Sequence, residues 1–203
     1  YQATTAGSYR VRVSSSSTCD SLSLPINLTV NALPPSTVTP QGPLAFCQGG
    51  SVTLAGPSGS GLSYQWKRNG TNVGTGQTYS ANLSGAYTLE VTQNATGCKS
   101  VAPAINVTVH PLPTVEAGSN LAICSGSPAT LTATSGTPGS FQWSSGVTQG
   151  QPFAPTQTQS YTVTVTDGNG CRATDNVTVT VNALPPSTVT PQGPLAFCQG
   201  GSV

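Results

Sequence analysis

The sequence predicts an all-β chain made of tandem antiparallel β-sandwiches arranged end to end. A stretch of 23 residues, VNALPPSTVTPQGPLAFCQGGSV, occupies positions 30–52 and recurs at 181–203, which is 151 positions later (181 − 30). Short runs alternate apolar and polar residues with period two and are rich in β-branched and aromatic types, the pattern of strands. Clusters of Gly, Pro and Asn separate these runs and indicate tight turns.

The 151-residue period contains two similar units. The motif LAFCQGGSVTLAG around Cys47 resembles LAICSGSPATLTAT around Cys124, and a Trp follows each Cys by 19 positions, Trp66 (66 − 47) and Trp143 (143 − 124). The segments GAYTLEVTQNATGC and QSYTVTVTDGNGC then close the two units. Units of about 75 residues are long enough to form small domains of their own.

These matches predict four parts of the chain. Residues 34–110 form a first complete repeat and residues 111–183 a second, joined by proline-rich sequence. Residues 1–33 match the C-terminal part of a preceding repeat, and residues 184–203 match the N-terminal part of a following one. We expect the chain to be an internal piece of a longer protein.

Each predicted strand of the first repeat rests on the same alternation. The runs are SVTLAG at 51–56, LSYQWKR at 62–68, TYSANL at 78–83, AYTLEVT at 86–92 and AINVTVH at 104–110. Turn signals separate them, including GPSGSG and RNGT, and DGNG occupies the last such position of the second repeat. The pair Asn169–Gly170 is predicted to form a tight hairpin turn there.

Charge is scarce and balanced. Charged residues make up 5% of the chain and the net charge is +1, whereas an ordinary soluble domain has about 25% charged residues. This composition offers no basic surface for nucleic acid or for an anionic membrane. No apolar stretch reaches the roughly 20 residues that a membrane helix needs, so neither nucleic acid nor membrane insertion is expected.

The order Cys–Gly–Trp, then GAY or QSY, then a hairpin ending in GC resembles bacterial Ig-like and PKD-like repeats. Such repeats fill giant surface adhesins, among them gliding-motility adhesins of the SprB type that leave the cell by type IX secretion. The resemblance covers nearly the whole chain. It implies extracellular Ig-like β-sandwiches that space or display adhesive surfaces. The WDFGDG core of polycystin-type repeats is missing after both Trp residues, which favours the Ig-like member of the pair.

Aromatic residues at equivalent positions are predicted to be structural. Trp66 and Trp143 occupy the place of the core Trp on a central strand of an Ig-like sandwich. Tyr9, Tyr87 and Tyr161 share one position at the start of a late strand and are predicted to be tyrosine corners, whose hydroxyl bonds to nearby backbone.

The six cysteines are regularly spaced and lack the CxxC pairs of zinc sites, so disulfides in an oxidising compartment are predicted. We predict one bond within each repeat, Cys47–Cys98 and Cys124–Cys171. Each would close a loop of about 50 residues and stabilise its domain by roughly 4 kcal/mol.

An alternative pairing stays open, because Cys47 precedes an early strand and Cys98 follows a late hairpin, which places them at opposite ends of a simple sandwich. In that alternative Cys47 bonds to Cys171 and links one repeat to the next. Under the first pairing, Cys19 and Cys198 find partners outside the 203 residues.

No catalytic, cofactor or metal site is predicted, and the chain is expected not to be an enzyme. The single histidine, His110, is expected to be a solvated linker residue, because a metal site needs several converging ligands. Asp167 alone is too little for a calcium cage. Ser21, in Asp20–Ser21–Leu22, resembles an O-glycosylation motif of the bacteria that carry such adhesins.

The function predicted from these features is that of a stalk segment in a long extracellular adhesin or surface filament that displays an adhesive tip. Its expected partners are neighbouring repeats of the same chain, with other copies in a fibre or a surface polysaccharide as further candidates. Two alternatives are a carbohydrate- or surface-binding module and the accessory repeats of a secreted enzyme. The loops GPSGSG and TSGTPGS contain no aromatic residue, which weighs against the binding module.

Overall fold

The computed structural model describes residues 1–16, 19–190, 196 and 198–200, with only the backbone of Ser16. Strands make up 48% of the chain and helix 2%, which confirms the all-β, tandem Ig-like fold class.

The chain divides into two compact units, Tyr1–His110 and Pro111–Val203. The predicted segment 184–203 lies partly outside the described residues, and none of its described residues is in a strand. Among the described residues, no helix is long and apolar enough to cross a membrane.

Residues 1–33 form two short antiparallel pairs. Their strands are β1 (Gly7–Tyr9), β2 (Arg12–Ser16), β3 (Cys19–Leu22) and β4 (Ile26–Leu28). Strand β1 pairs with β4, and β2 pairs with β3. The apolar side chains of this segment are largely exposed, for example Ile26 at 72% and Val13 at 64%.

The first repeat is a sandwich of two sheets. Its strands are β5 (Thr39–Pro40), β6 (Ala45–Cys47), β7 (Val52–Ala55), β8 (Leu62–Arg68), β9 (Thr71–Gly74), β10 (Thr78–Ala81), β11 (Gly85–Gln93), β12 (Lys99–Val101) and β13 (Ile105–His110). One sheet has the order β10-β7-β5, and the other has the order β6-β13-β11-β8-β9, with β12 paired to β11. Side chains from both sheets form one core, which is the arrangement of an Ig-like sandwich.

The core follows from the period-two pattern of the sequence. Strand β11 turns Tyr87, Leu89 and Val91 inward, while the residues between them face outward and are half-buried. The buried cluster of the first repeat comprises Val52, Leu54, Trp66, Ala81, Tyr87, Leu89, Val91, Ala102 and Val107. Each of the five predicted runs of this repeat contains a strand.

The second repeat has the same plan with fewer strands. They are β14 (Leu121–Cys124), β15 (Ala129–Thr130), β16 (Gly139–Trp143), β17 (Pro152–Phe153), β18 (Gln159–Asp167) and β19 (Arg172–Asn182), with a 3-10 turn at Ser144–Gly146. The larger sheet has the order β14-β19-β18-β16, and β15 pairs with β17. The buried cluster comprises Ala117, Ala129, Leu131, Ala133, Trp143, Tyr161, Val163, Val177 and Val179.

Proline explains the main difference between the repeats. Strand β19 runs for 11 residues without interruption. The corresponding stretch of the first repeat is divided into β12 and β13 around Pro103, and residues 1–33 are divided in the same way at Pro25. Proline has no N–H to donate to a sheet, so it ends the strand at that point.

The turns differ from the prediction in one place. Asn69 and Gly70 both have positive φ, 49° and 83°, as expected for a two-residue hairpin turn between β8 and β9. In the second repeat the N–H of Gly170 donates to Asp167 O at 3.1 Å, so Gly168 and Asn169 are the central residues. The predicted Asn169–Gly170 turn is therefore displaced by one residue.

Candidate functional site

In each complete repeat, the first strand of the larger sheet is hydrogen-bonded to the last strand and runs parallel to it. In the first repeat β6 lies beside β13, with Ala45 opposite Thr108 and Cys47 opposite His110. In the second repeat β14 lies beside β19 over four residue pairs, from Leu121 opposite Val179 onward. The other strand pairs among the described residues are antiparallel.

Backbone hydrogen bonds continue both parallel pairs to their ends. The N–H of Gln48 donates to His110 O at 2.8 Å, and the N–H of Ser125 donates to Asn182 O at 2.8 Å. These bonds join the part of the chain that comes into a repeat to the part that leaves it. Tension applied to the two ends of a repeat therefore acts along these strands.

The two Trp residues lie inside the sandwiches. Trp66 is 0% exposed and Trp143 is 5% exposed. The indole Nε1–H of Trp66 donates to Gly76 O at 2.9 Å, and the ring stacks on Tyr79 at a centroid distance of 6.1 Å. A buried indole N–H needs an acceptor, and both Trp side chains have one.

Two of the three equivalent tyrosines, Tyr9 and Tyr87, bond to the backbone just before their own strands as predicted, whereas the hydroxyl of Tyr161 makes no such bond among the described residues. The hydroxyl of Tyr87 donates to Leu83 O at 2.8 Å, and that of Tyr9 donates to Thr5 O at 2.8 Å. Burial raises the pKa of the Tyr87 hydroxyl. Tyr161 is 4% exposed, and its ring packs edge-on against Phe153 at 5.1 Å.

Gln149 positions the core of the second repeat, although no sequence motif indicates this role. Its Oε1 accepts the indole N–H of Trp143 at 2.7 Å and the N–H of Ala133 at 3.2 Å. Its Nε2 donates to Ala133 O at 2.7 Å. In the first repeat the indole of Trp66 donates to a backbone carbonyl, that of Gly76, instead of to a side chain. The two repeats therefore provide the acceptor for their Trp differently, and comparing the two sequences does not reveal the role of Gln149.

The two cysteines of the first repeat lie at opposite ends of its larger sheet. Cys47 is opposite His110, the last residue of β13. Cys98 lies in the hairpin after β11, where the N–H of Gln93 donates to Cys98 O at 2.9 Å. Because β11 and β13 are antiparallel, their last residues are at opposite ends. Along the strand direction of this sheet, Cys47 and Cys98 are therefore about eleven residue positions, or roughly 35 Å, apart.

The two cysteines of the second repeat are equally far apart, because they lie beside the two ends of one strand, β19. Cys124 is opposite Asn182, the last residue of β19. Cys171 directly precedes Arg172, the first residue of the same strand. Eleven positions (182 − 171) again correspond to about 35 Å, whereas a disulfide needs Cα atoms within about 7 Å.

The structure does not form the predicted bonds Cys47–Cys98 and Cys124–Cys171. Cys98 and Cys124 are free thiols, as are Cys19 and Cys198. Cys47 and Cys171 are disulfide-bonded. The length of the sheets is the physical reason, since it holds the cysteines of one repeat several times farther apart than a bond permits.

The other candidates have local structural roles. Asp167 Oδ1 accepts the N–H groups of Asn169 at 2.9 Å and of Cys171 at 2.8 Å, which orders the hairpin that carries Cys171. His110 was expected to be a solvated linker residue, but it is half-buried as the last residue of β13, opposite Cys47. Among the described residues, no three His, Cys, Asp or Glu side chains group as metal ligands.

Three of the charged residues form a cluster across β8, β11 and β12. Glu90 accepts from Lys67 at 3.0 Å and from Lys99 at 2.7 Å. The hydrogen bond from Lys99, followed by that from Lys67, lowers the pKa of the Glu90 carboxyl. This cluster connects three strands on the outer face of the sandwich.

Ser21 is exposed in β3, opposite Val13. The neighbouring Asp20 is paired with Arg12 and Ser14, and these contacts, first that of Arg12, lower the pKa of its carboxyl. The hydroxyl of Ser21 is thus accessible to a modifying enzyme.

Two-layer packing, a buried Trp and a tyrosine corner define the first repeat as an Ig-like sandwich, and the second shares its plan. No protein-family model matches the sequence, and no curated protein matches it.

Solved structures of Ig-domain proteins are similar in fold. The chain is 18% identical to the insect immune protein hemolin, covering 86% of this chain and 56% of hemolin with a TM-score of 0.42. It is 14% identical to the eight N-terminal Ig domains of Down syndrome cell adhesion molecule. That match covers 80% of this chain and 27% of the other, with a TM-score of 0.42. For three N-terminal domains of the outer capsid protein Hoc of bacteriophage RB49 the identity is 17%, the coverage 72% and 58%, and the TM-score 0.37.

The chain thus spans little more than half the length of the hemolin and Hoc structures and about a quarter of the adhesion-molecule fragment. With identities below 20% and TM-scores below 0.5, these matches describe strand arrangement and carry no statement about function.

Proposed function

We propose that this chain is a tension-bearing stalk segment of a repetitive extracellular adhesin of the Ig-like class. In this proposal residues 34–110 and 111–183 are complete repeats, and 1–33 and 184–203 are parts of neighbouring ones. The stalk holds an adhesive tip away from the cell surface. The observation that carries the proposal is the parallel pairing of first and last strands in both complete repeats.

Parallel pairing matters because of the direction of the applied force. Two parallel strands pulled from opposite termini slide along each other, so several backbone hydrogen bonds are loaded at the same time. Antiparallel hairpins pulled at adjacent ends open one bond after another. Three residue pairs in the first repeat and four in the second resist sliding.

Composition and cysteine chemistry support a place outside the cell. A disulfide that persists requires an oxidising environment, and Cys47 and Cys171 are disulfide-bonded. The charged fraction of 5% leaves little electrostatic repulsion between adjacent repeats or adjacent copies.

Single-molecule pulling from the chain ends, in reducing buffer, tests the mechanical role. Gln48→Pro removes the N–H donor to His110, and Ser125→Pro removes the donor to Asn182. We expect two unfolding events in the parent chain, with each proline variant lowering the force of its own repeat only. Each variant is the control for the other, and an equal effect on both events, or on neither, would contradict the proposal.

A glycan array on the same chain separates a stalk from a binding module. The stalk predicts no selective binding, because the loops at 56–61 and 134–140 offer no aromatic platform. Selective binding at micromolar affinity would overturn the stalk in favour of the module.

A further inference from the structure

Residues 1–33 have the strand register of the second half of the first repeat. The strand pairs β1–β4 and β11–β13 align residues of matching position, namely Gly7 with Leu28 and Tyr9 with Ile26, and Gly85 with Val107 and Tyr87 with Ile105. Next to them, the N–H of Ser23 donates to Val11 O at 2.9 Å, as the N–H of Ala102 donates to Leu89 O at 2.8 Å. The pairs β2–β3 and β11–β12 correspond in the same way. Residues 1–33 thus form half of a repeat.

The inner side of this half-repeat is open. In the first repeat the inward side chains of Leu89, Val91 and Val107 are 0%, 0% and 3% exposed. The side chains at the same positions of the half-repeat, Val11, Val13 and Leu28, are 63%, 64% and 36% exposed. We call the side formed by Tyr9, Val11, Val13, Ile26 and Leu28 the open face. A contiguous apolar surface of this kind marks a contact site.

The outer side of the half-repeat is already satisfied. Arg12 and Asp20 form an ion pair there. They occupy the register positions that Glu90 and Lys99 occupy in the first repeat, with the charges exchanged. Only the inner side therefore differs from the complete repeat.

The first repeat shows what covers the equivalent face. Strand β8 pairs with β11 from Leu62 opposite Gln93 to Arg68 opposite Tyr87. The second sheet, β10-β7-β5, adds buried apolar side chains to the same core, which are Val52, Leu54 and Ala81. These strands all come from residues 39–81, ahead of β11 in the chain. Among the described residues, β1 pairs only with β4 and β2 only with β3, so their other edges are free.

We propose that the open face is a docking surface for the N-terminal half of an Ig-like repeat of this sequence class, equivalent to residues 34–84. The occupant is the polypeptide that precedes Tyr1 in a longer protein. This inference rests on the proposed function, in which residues 1–33 belong to a neighbouring repeat. The docked half adds a strand to the free edge of β1 and β2, as β8 does for β11, and lays an apolar sheet over the open face.

The chemistry of the open face fits this partner. A cleft lies on it, lined by Tyr1, Ala3, Tyr9, Arg10, Val11, Ser23, Ile26 and Leu28. Of these lining residues only Arg10 is charged, so the cleft accepts apolar side chains such as those of β7 and β10. A second copy of the chain fits less well, because the N-terminal halves of its complete repeats are already packed in their own cores.

Hydrogen exchange in an extended chain tests the docking directly. In this chain residues 34–84 are placed ahead of residues 7–203, so that Ser84 is followed by Gly7 as it is by Gly85 in the first repeat. We expect the amides of β1 and β4 to exchange at least about tenfold more slowly than in the 203-residue chain. Strands β16 and β18 of the second repeat are the internal reference and should exchange equally in both chains. Unchanged exchange in β1 and β4 would overturn the proposal.

Two adjacent substitutions in the extended chain separate the faces of β4. Ile26→Asp places a charge on the open face, and Asn27→Asp places the same charge on the opposite face, because successive strand residues point to opposite sides. We expect Ile26→Asp to return β1 and β4 to fast exchange and Asn27→Asp to keep them slow. Equal effects of the two substitutions would contradict docking on the open face.

Light scattering after size exclusion identifies any other occupant in the unextended chain. We expect a monomer with fast exchange in β1 and β4. A dimer with slow exchange in these strands would overturn the proposal in favour of a second copy. No force is applied in these measurements, so docking can fail while the unfolding events of the stalk remain, and the stalk can fail while docking remains.

Discussion

The replacement Gln149→Ala tests how the second repeat stabilises its core. The substitution removes one acceptor from the indole of Trp143 and both hydrogen bonds to Ala133. Trp143 is 5% and Ala133 is 4% exposed, so water reaches their orphaned polar groups poorly. An unpaired buried group costs about 1–3 kcal/mol, and we expect a loss of about 2–3 kcal/mol for the variant, with part of the cost relieved by water entering the space.

Hydrogen exchange measured by mass spectrometry resolves this loss repeat by repeat. A change of 2 kcal/mol corresponds to about 30-fold faster exchange through unfolding, expected in β16 and β18 and not in β8 and β11. Gln151→Ala, an exposed substitution two positions away, is the matched control. Acceleration below about threefold, or acceleration of equal size in both repeats, would refute the reasoning.

Three further predictions concern single positions. The hydrogen bond from the N–H of Ala117 lowers the pKa of the Asp175 carboxyl from its ordinary value. The stabilisation from this carboxylate should therefore vanish as pH falls through the lowered pKa, and thermal melts should show that Asp175→Asn removes this part of the acid sensitivity. In Gly139→Ala the new Cβ would meet Thr166 O at 2.6 Å. Urea titration should therefore show a loss of about 1–3 kcal/mol in the free energy of unfolding. The matched control Gly168→Ala, where the new Cβ has no atom within 4 Å, should be near neutral. Tyr87→Phe deletes the hydrogen bond to Leu83 and should lower the stability of the first repeat by about 1 kcal/mol in the same titration, and an unchanged midpoint would contradict the tyrosine-corner role.

Local pattern was sufficient to predict the fold class and the interior-facing residues of the long strands. Alternation in AYTLEVT places Tyr87, Leu89 and Val91 on one face, and the structure buries all three. The short strands β5, β6, β9 and β12 were not predicted, because they lie outside the five alternating runs and two to four residues alone carry too little periodicity. Pro103 could have indicated the division of the last strand, since proline ends a sheet ladder.

The cysteine pairing could not be derived from spacing. Two cysteines per repeat suggest a bond within the repeat, but the outcome depends on the register of β6 against β13, which joins residues about 60 positions apart. That register places Cys47 and Cys98 at opposite ends of the sheet. Gln149 was missed for a similar reason, because its role exists only once the loop at 144–150 folds against Trp143.

The measurement that tests the tension-bearing stalk most directly is the force and length of each unfolding event when the chain is pulled from its ends in reducing buffer. A complete repeat of about 75 residues releases at most about 26 nm of chain when it unfolds, at ~3.5 Å per residue. The account predicts two discrete force events of about this length, one for each parallel strand pair. Extension without discrete force events would contradict it.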